Sequence, residues 1–252
     1  IYLAVVDGLD SNAQESSGDA SPNARFLSRF AAIPLNAWLQ ITAVCLIPCT
    51  QYVSLALLPV YLTGTHNMSE VKAGDYTSLV SWFCVTAPLW GVLADSPKVG
   101  RLHIQLVGVT ISTLGFLSLR AELPVVPVLV VMGLSFALSD QNAYVMVEAL
   151  VPDPRLVDFT YGVMGCFFNV GLGTISHVAG RVSTEAMPLV YSTSLGSGFV
   201  MTLLLILRVR SSEDAASKGL LPQWRQGLLE RRSTSASRNS AARSPTMVVQ
   251  VS

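Results

Sequence analysis

The chain has 252 residues, of which 51% are hydrophobic and only 13% charged, with a mean hydropathy of +0.50. A soluble domain of that size carries about 25% charged residues, so lipid rather than water is the expected solvent. A formal net charge of zero leaves no electrostatic footprint for nucleic acid. The cysteines Cys45, Cys49, Cys84 and Cys166 all fall in apolar runs, with no Cys-x-x-Cys and no histidine pair. They read as small buried hydrophobes rather than a disulfide or metal set, and neither a metal nor a cofactor is expected.

Residues 1–6, Ile-Tyr-Leu-Ala-Val-Val, read as the end of a preceding transmembrane helix, so the chain is expected to be a piece of a longer protein. No charged stretch marks a signal peptide. Residues 7–37 read as a cytosolic linker, small and polar over "DGLDSNAQESSGDASPNAR". A hydrocarbon core about 30 Å thick takes roughly 20 apolar residues in a helix. Six runs meet that length: 38–63, 75–94, 102–119, 124–147, 160–180 and 187–208. The predicted fold is all-α, a polytopic membrane protein with six transmembrane helices over residues 38–210. Short connections predict that consecutive helices are antiparallel neighbours. Residues 211–252, rich in Ser, Ala and Arg, predict a disordered cytosolic tail. Within it, Leu220, Leu221, Trp224, Leu228 and Leu229 suit either a short helix on the membrane surface or a spacer.

Lysine and arginine placement orients the bundle. Arg25 and Arg29 precede the first run, Lys98 and Arg101 lie between the second and third, Arg155 lies between the fourth and fifth, and Arg208 and Arg210 follow the sixth. The opposite loops hold only Lys72, Arg120 and Arg181. Both termini are therefore expected in the cytosol. Asn67-Met68-Ser69, an N-glycosylation acceptor pattern, falls in the first loop on the other side, which makes Asn67 a candidate glycan site.

Several internal residues are candidates for function. Pro48, Pro59, Pro88, Pro127 and Pro188 interrupt the runs and suit either hinges or ordinary transmembrane proline enrichment. On the fifth run Gly162, Gly165, Asn169, Gly173, His177 and Gly180 recur at spacings of three and four, a stripe that predicts close approach to a neighbouring helix. Asn169 is a candidate cavity residue. On the fourth run Phe136, Asp140, Tyr144, Val147 and Glu148 share a face, flanked by Gln141 and Asn142. A carboxylate costs roughly 2.5–3.5 kcal/mol at a helix centre, so Asp140 is expected to face the bundle interior or water. It suits a substrate pathway or an interfacial ion pair. Gln51 and Tyr52, between two prolines of the first run, form a candidate binding element.

Two stretches carry a family resemblance. Gly91-Val92-Leu93-Ala94-Asp95 followed by Lys98-Val99-Gly100-Arg101 resembles the Gly-x-Leu-Ala-Asp-Arg-x-Gly-Arg-Arg turn of the major facilitator superfamily. Ser96 and Pro97 are extra, and Leu102 replaces the last base. Glu148 to Arg155, then Tyr161-Gly162, resembles the Glu-x-x-x-Pro-x-x-Arg segment that ends the fourth helix of a half in that superfamily. The resemblance implies one half of a major facilitator fold, the C-terminal six helices. It implies a gating charge cluster of Asp95, Lys98, Arg101, Glu148 and Arg155. Residues 150–173 look most like the lysosomal dipeptide-transporter branch, the major facilitator domain-containing protein one-like carriers. That implies a secondary transporter of small organic solutes such as dipeptides, in a lysosomal or other endomembrane or in the plasma membrane. The implied partners are the lipid bilayer, the small-molecule substrate, an N-terminal six-helix half and an accessory membrane glycoprotein.

A different class competes. Gly133-Leu134-Ser135 with His177 faintly resembles a rhomboid-like intramembrane serine protease, although Ala137 replaces the second glycine of that motif. A membrane scaffold without transport is a third reading. The expectation is a carrier and not an enzyme.

Overall fold

A computed structural model describes residues 22–96, 99–121 and 123–209, without the side chains of Pro22, Ala24, Asp140, Gln141 and Ala143. Every regular element among them is helical: α1 (Pro22–Ala32), α2 (Leu35–His66), α3 (Glu70–Cys84), α4 (Ala87–Ala94), α5 (Arg101–Arg120), α6 (Val125–Leu150), α7 (Pro154–Ala179) and α8 (Met187–Val209). A 3₁₀ turn, Thr184–Ala186, leads into α8. Six spans are long and apolar enough to cross a membrane: α2, α3 with α4, α5, α6, α7, and the 3₁₀ turn with α8. The protein is an all-helical membrane protein with the architecture of a six-helix half.

The helix ends follow local chemistry. Ser69 caps α3 by accepting the Lys72 N–H, and Asp153 caps α7 by accepting the Arg155 N–H at 2.9 Å, with Pro154 in the first helical position. Gly100 opens α5 at φ 79°, a backbone region that side chains disfavour. The chain positions read as linker differ from the structure in two ways. Residues 22–32 form α1, and α2 starts at Leu35. The reason is local: Phe26 and Phe30, one turn apart, stack with ring centroids 6.1 Å apart. Residues 1–21 and 210–252, which include the supposed preceding helix and the tail, lie outside the described residues.

The prolines divide. α2 runs unbroken through Pro48 and Pro59. Pro48 cannot donate to the Val44 carbonyl, and the Cys49 thiol reaches that oxygen instead at 3.8 Å. Pro127 and Pro188 stand in the first turns of α6 and α8, where no intrahelical bond is lost. Only ahead of Pro88 is a run broken, between α3 and α4. There Val85 and Thr86 donate to Trp82 and Phe83 in tight turns, and Trp90 Nε1 donates to the Thr86 hydroxyl at 2.9 Å. A proline displaces the carbonyl four residues earlier, here that of Cys84.

Sequence adjacency does not decide packing. α2 is central and packs most extensively on α8 and α7, with α6 and α3 beside it; α5 lies on α6 and α8, and both α3 and α4 lie on α6. Consecutive α6 and α7 touch little, as do α7 and α8, which corrects the expectation that all neighbours in sequence are neighbours in space. A short loop tethers only helix ends. In lipid no hydrophobic drive pairs one apolar face with another, so close approach at small residues selects the partner. A Cβ on Gly171 would stand 2.6 Å from the Cys45 carbonyl oxygen, and one on Gly198 would stand 2.5 Å from Ile47 Cγ1. Those glycines seat α7 and α8 on α2. The stripe predicted to pack stays open among the described residues. Cβ atoms on Gly162, Gly165 and Gly173 would meet nothing within 4 Å, and Asn169 and His177 are exposed. The most apolar window of α2 is 61% buried, against 17% for α3–α4 and 28% for α7, so these two spans form the open margin of the bundle.

Candidate functional site

Three groups of residues carry polar chemistry. The first lies in the turn between α4 and α5. Asp95 stands at the C-terminus of α4, and Arg101 is the first residue of α5. The Arg101 Nε donates to Asp95 Oδ1 at 2.7 Å, and a second guanidinium nitrogen approaches the same oxygen at 2.5 Å. Glu148 in the last turn of α6 is exposed, and so is Arg155 in the first turn of α7. Short connections, 95–100 and 151–153, bring these helix ends to one end of the bundle. The Tyr161 hydroxyl of α7 gathers them further. It donates to the Tyr144 carbonyl at 3.2 Å and lies within electrostatic reach of Glu148, Arg101 and Asp158. Arg155 makes no ion pair among the described residues. Lys98 lies outside them.

The second group is an aromatic and amide face shared by α2, α6 and α7. Phe168 meets the Tyr52 ring edge-on with centroids 5.9 Å apart, and the Tyr144 ring at 6.3 Å. Tyr52 is 47% exposed. Asn169, next to Phe168 in sequence, is exposed and donates its amide nitrogen to the Gly165 carbonyl at 2.9 Å. Asp140 and Gln141 lie on α6, Asp140 one turn before Tyr144; their side chains lie outside the described residues. Phe168 is the residue that joins the face, and sequence reasoning missed it. In an apolar run a phenylalanine gives no functional signal; only its neighbours Tyr52 and Tyr144 make it informative.

The third group is internal. Gln51 is 3% exposed. Its Nε2 donates to Ser139 Oγ at 2.6 Å and Ser112 Oγ at 3.2 Å, and Ser112 shares a 2.7 Å bond with Ser135. α2, α5 and α6 are thereby pinned at one level. At another level Gln40 Nε2 donates to Gln105 Oε1 at 3.2 Å, and Gln105 Nε2 donates to the Thr202 hydroxyl at 3.0 Å, which joins α2, α5 and α8. Asn142 is buried and donates to the Leu138 carbonyl of its own helix at 2.8 Å. The structure thus separates the candidate binding residues. Tyr52 and Tyr144 meet at Phe168 and Asn169 is exposed on α7, while Gln51 and Asn142 are turned into the bundle. Gln105, Ser112, Ser139 and Thr202 were not singled out from sequence. The signal was available: on α5, Gln105, Gly108, Ser112 and Gly115 recur at spacings of three and four.

The remaining candidates are placed as follows. Asn67 is exposed in the turn between α2 and α3, in left-handed backbone at φ 50°, at the opposite end of the α3–α4 span from Asp95. Ser135 is fully buried, bonded to Ser112 and to the Met132 carbonyl, and His177 is exposed in the last turn of α7. No hydrogen bond among the described residues joins that serine to a histidine base, which the protease reading requires.

Comparison with known proteins agrees with this geometry. No curated protein matches the chain. The family model of the Major Facilitator Superfamily matches residues 41–249, a stretch that runs through all six spans and both charged turns. The chain is a multi-pass integral membrane protein and belongs to the Major Facilitator Superfamily, whose members are secondary transporters rather than enzymes.

Proposed function

We propose that this chain is the C-terminal half of a secondary transporter that moves small organic solutes, of the dipeptide class, by alternating access. The Asp95–Arg101 ion pair, set in the turn between the second and third spans, is the observation that carries this reading. Asp95 keeps 58% of its side chain exposed. An exposed ion pair contributes at most about 1 kcal/mol, which suits a latch that opens and closes in each cycle. Glu148, Lys98 and Arg155 complete the latch in this reading, with Tyr161 relaying between the ends of α6 and α7. Substrate binds near the midplane on the face of Tyr52, Tyr144 and Asn169, with Asp140 as the charged member that meets an α-amino group. Gln51, Gln141 and Asn142 hold or flank that face.

The open margins formed by α3–α4 and α7 support a second six-helix half as the partner that closes the cavity. The resemblance of residues 150–173 supports dipeptides as cargo, a lysosomal membrane and an accessory membrane glycoprotein. The charge distribution supports cytosolic termini and a lumenal Asn67 glycan. The test is uptake of labelled dipeptides into liposomes containing the full-length transporter at two lumenal pH values. Uptake lost in Asp140→Ala and retained in Ser135→Ala is the expected result. A folded protein that moves no small organic solute at either pH overturns the reading.

A further inference from the structure

We propose that the second span is hinged, with Val85 and Thr86 as the pivot, α4 as an arm that swings on it while α3 stays seated, and the Trp90–Thr86 hydrogen bond as the clasp that holds the arm. The device follows from how the helix is broken and does not depend on what the chain carries. An α-helical residue has ψ near −42°. Val85 stands at ψ −19° and Thr86 at ψ −5°. Their N–H groups turn back three residues, to the Trp82 and Phe83 carbonyls at 3.1 Å each. Pro88 has no N–H to return to Cys84, so the ladder that stiffens a helix is interrupted at this level. Sharp bends at proline and a few element-end residues that absorb the backbone change are the usual build of a hinge.

The two sides of the pivot are held differently. Before it, α3 is seated backbone to backbone: a Cβ on Gly133 of α6 would stand 2.7 Å from the Val80 carbonyl oxygen and 2.8 Å from Phe83 Cβ. Beyond it, the buried residues of α4 are Ala87 and Ala94, and Leu89 and Val92 are exposed. Ala94 joins a small cluster with Ile104 and Leu138, against which Trp90 packs. Trp90 also bridges the pivot. Its Nε1 donates to the Thr86 hydroxyl at 2.9 Å, and that hydroxyl donates its one proton to the Phe83 carbonyl at 2.7 Å. Arm, pivot and α3 are thus linked at one bend angle, and a swing of the arm must release the indole. Eight residues make about 12 Å of helix, so a tilt of about 20° moves the far end by roughly 4 Å. That end is Asp95, and such a shift parts its 2.7 Å contact with Arg101.

The test uses the whole chain in nanodiscs with 5-fluorotryptophan at its four tryptophans, read by fluorine NMR. Trp82 reports α3 and Trp90 reports α4, each assigned by its Phe variant. Trp90 is expected to exchange between two environments on the microsecond-to-millisecond scale of hinge motions, while Trp82 does not. Thr86→Val keeps the shape of the pivot and removes the clasp; the minor Trp90 population should rise about fivefold, the weight of one net hydrogen bond. Pro88→Ala returns a backbone donor to the break and should suppress the exchange. A single Trp90 environment in both the parent chain and Thr86→Val would overturn the proposal. So would Trp82 and Trp90 exchanging together at one rate, undiminished in Pro88→Ala, because the span would then be moving as one rod.

Discussion

α5 and α7 carry stripes of the same kind: Gln105, Gly108, Ser112 and Gly115 on one, Gly162, Gly165, Asn169 and Gly173 on the other, all at spacings of three and four. On α5 the stripe is buried. A Cβ on Gly108 would stand 3.1 Å from the Ser135 carbonyl oxygen and the Ser139 nitrogen, and Ser112 bonds across to α6. On α7 the stripe is open, and the helix instead uses a glycine from its other side, Gly171, to lie against α2. Periodicity in a membrane helix marks a face on which small and polar groups gather. Whether that face is filled within this chain or left for a partner depends on which helices the chain itself supplies.

Substitutions sharpen the contrast. The largest effect is expected from Gly171→Val, which forces Cys45 backbone aside and should lower stability by about 3 kcal/mol; Gly108→Val should follow closely. Both are read as a fall in thermal midpoint of the purified chain in detergent. Gln51→Leu removes the donor that ties α2 to Ser112 and Ser139 and should cost about 1 kcal/mol, near the sum of two transmembrane hydrogen bonds. A midpoint unchanged in Gln51→Leu would show that the internal network is dispensable. Asp95→Asn should change stability by less than about 1 kcal/mol and yet slow solute uptake by the full-length transporter severalfold. The smallest effect on stability, under about 0.5 kcal/mol, is expected for Gly173→Val on the open stripe. If it destabilised the isolated chain as much as Gly171→Val, the contrast between the two faces would be lost.

Most of the fold was legible because its signals are long and redundant. Six apolar runs of membrane-spanning length need no single residue to be interpreted correctly, and the glycine, aspartate and arginine that flank residues 96–100 mark a turn by composition alone. Partner choice was not legible. Nothing in an apolar sequence says that α7 will lie against α2 rather than α6, because Gly171 is chemically indistinguishable from Gly173 until the neighbouring backbone is in place. The candidate site was legible in part for the same reason. Polar residues stood out against the apolar background, so Gln51, Tyr52, Tyr144 and Asn169 could be singled out as candidates. Their orientation depended on packing, and Gln51 and Tyr52, adjacent in sequence and about 100° apart on α2, ended one buried and the other exposed. The linker helix was hidden by its flanks: a polar, small-residue stretch precedes an amphipathic segment too short to register as a run.

The two glutamine-centred networks carry a mechanical consequence. They stitch α2 to α5 at two heights, and reach α6 from one and α8 from the other. Four of the six spans are therefore riveted into a stiff block whose members cannot slide past one another without stranding amide groups in oil. Any motion this chain contributes to moving cargo must then be a tilt of that block as one lever, with the freedom to flex confined to the two spans left outside it.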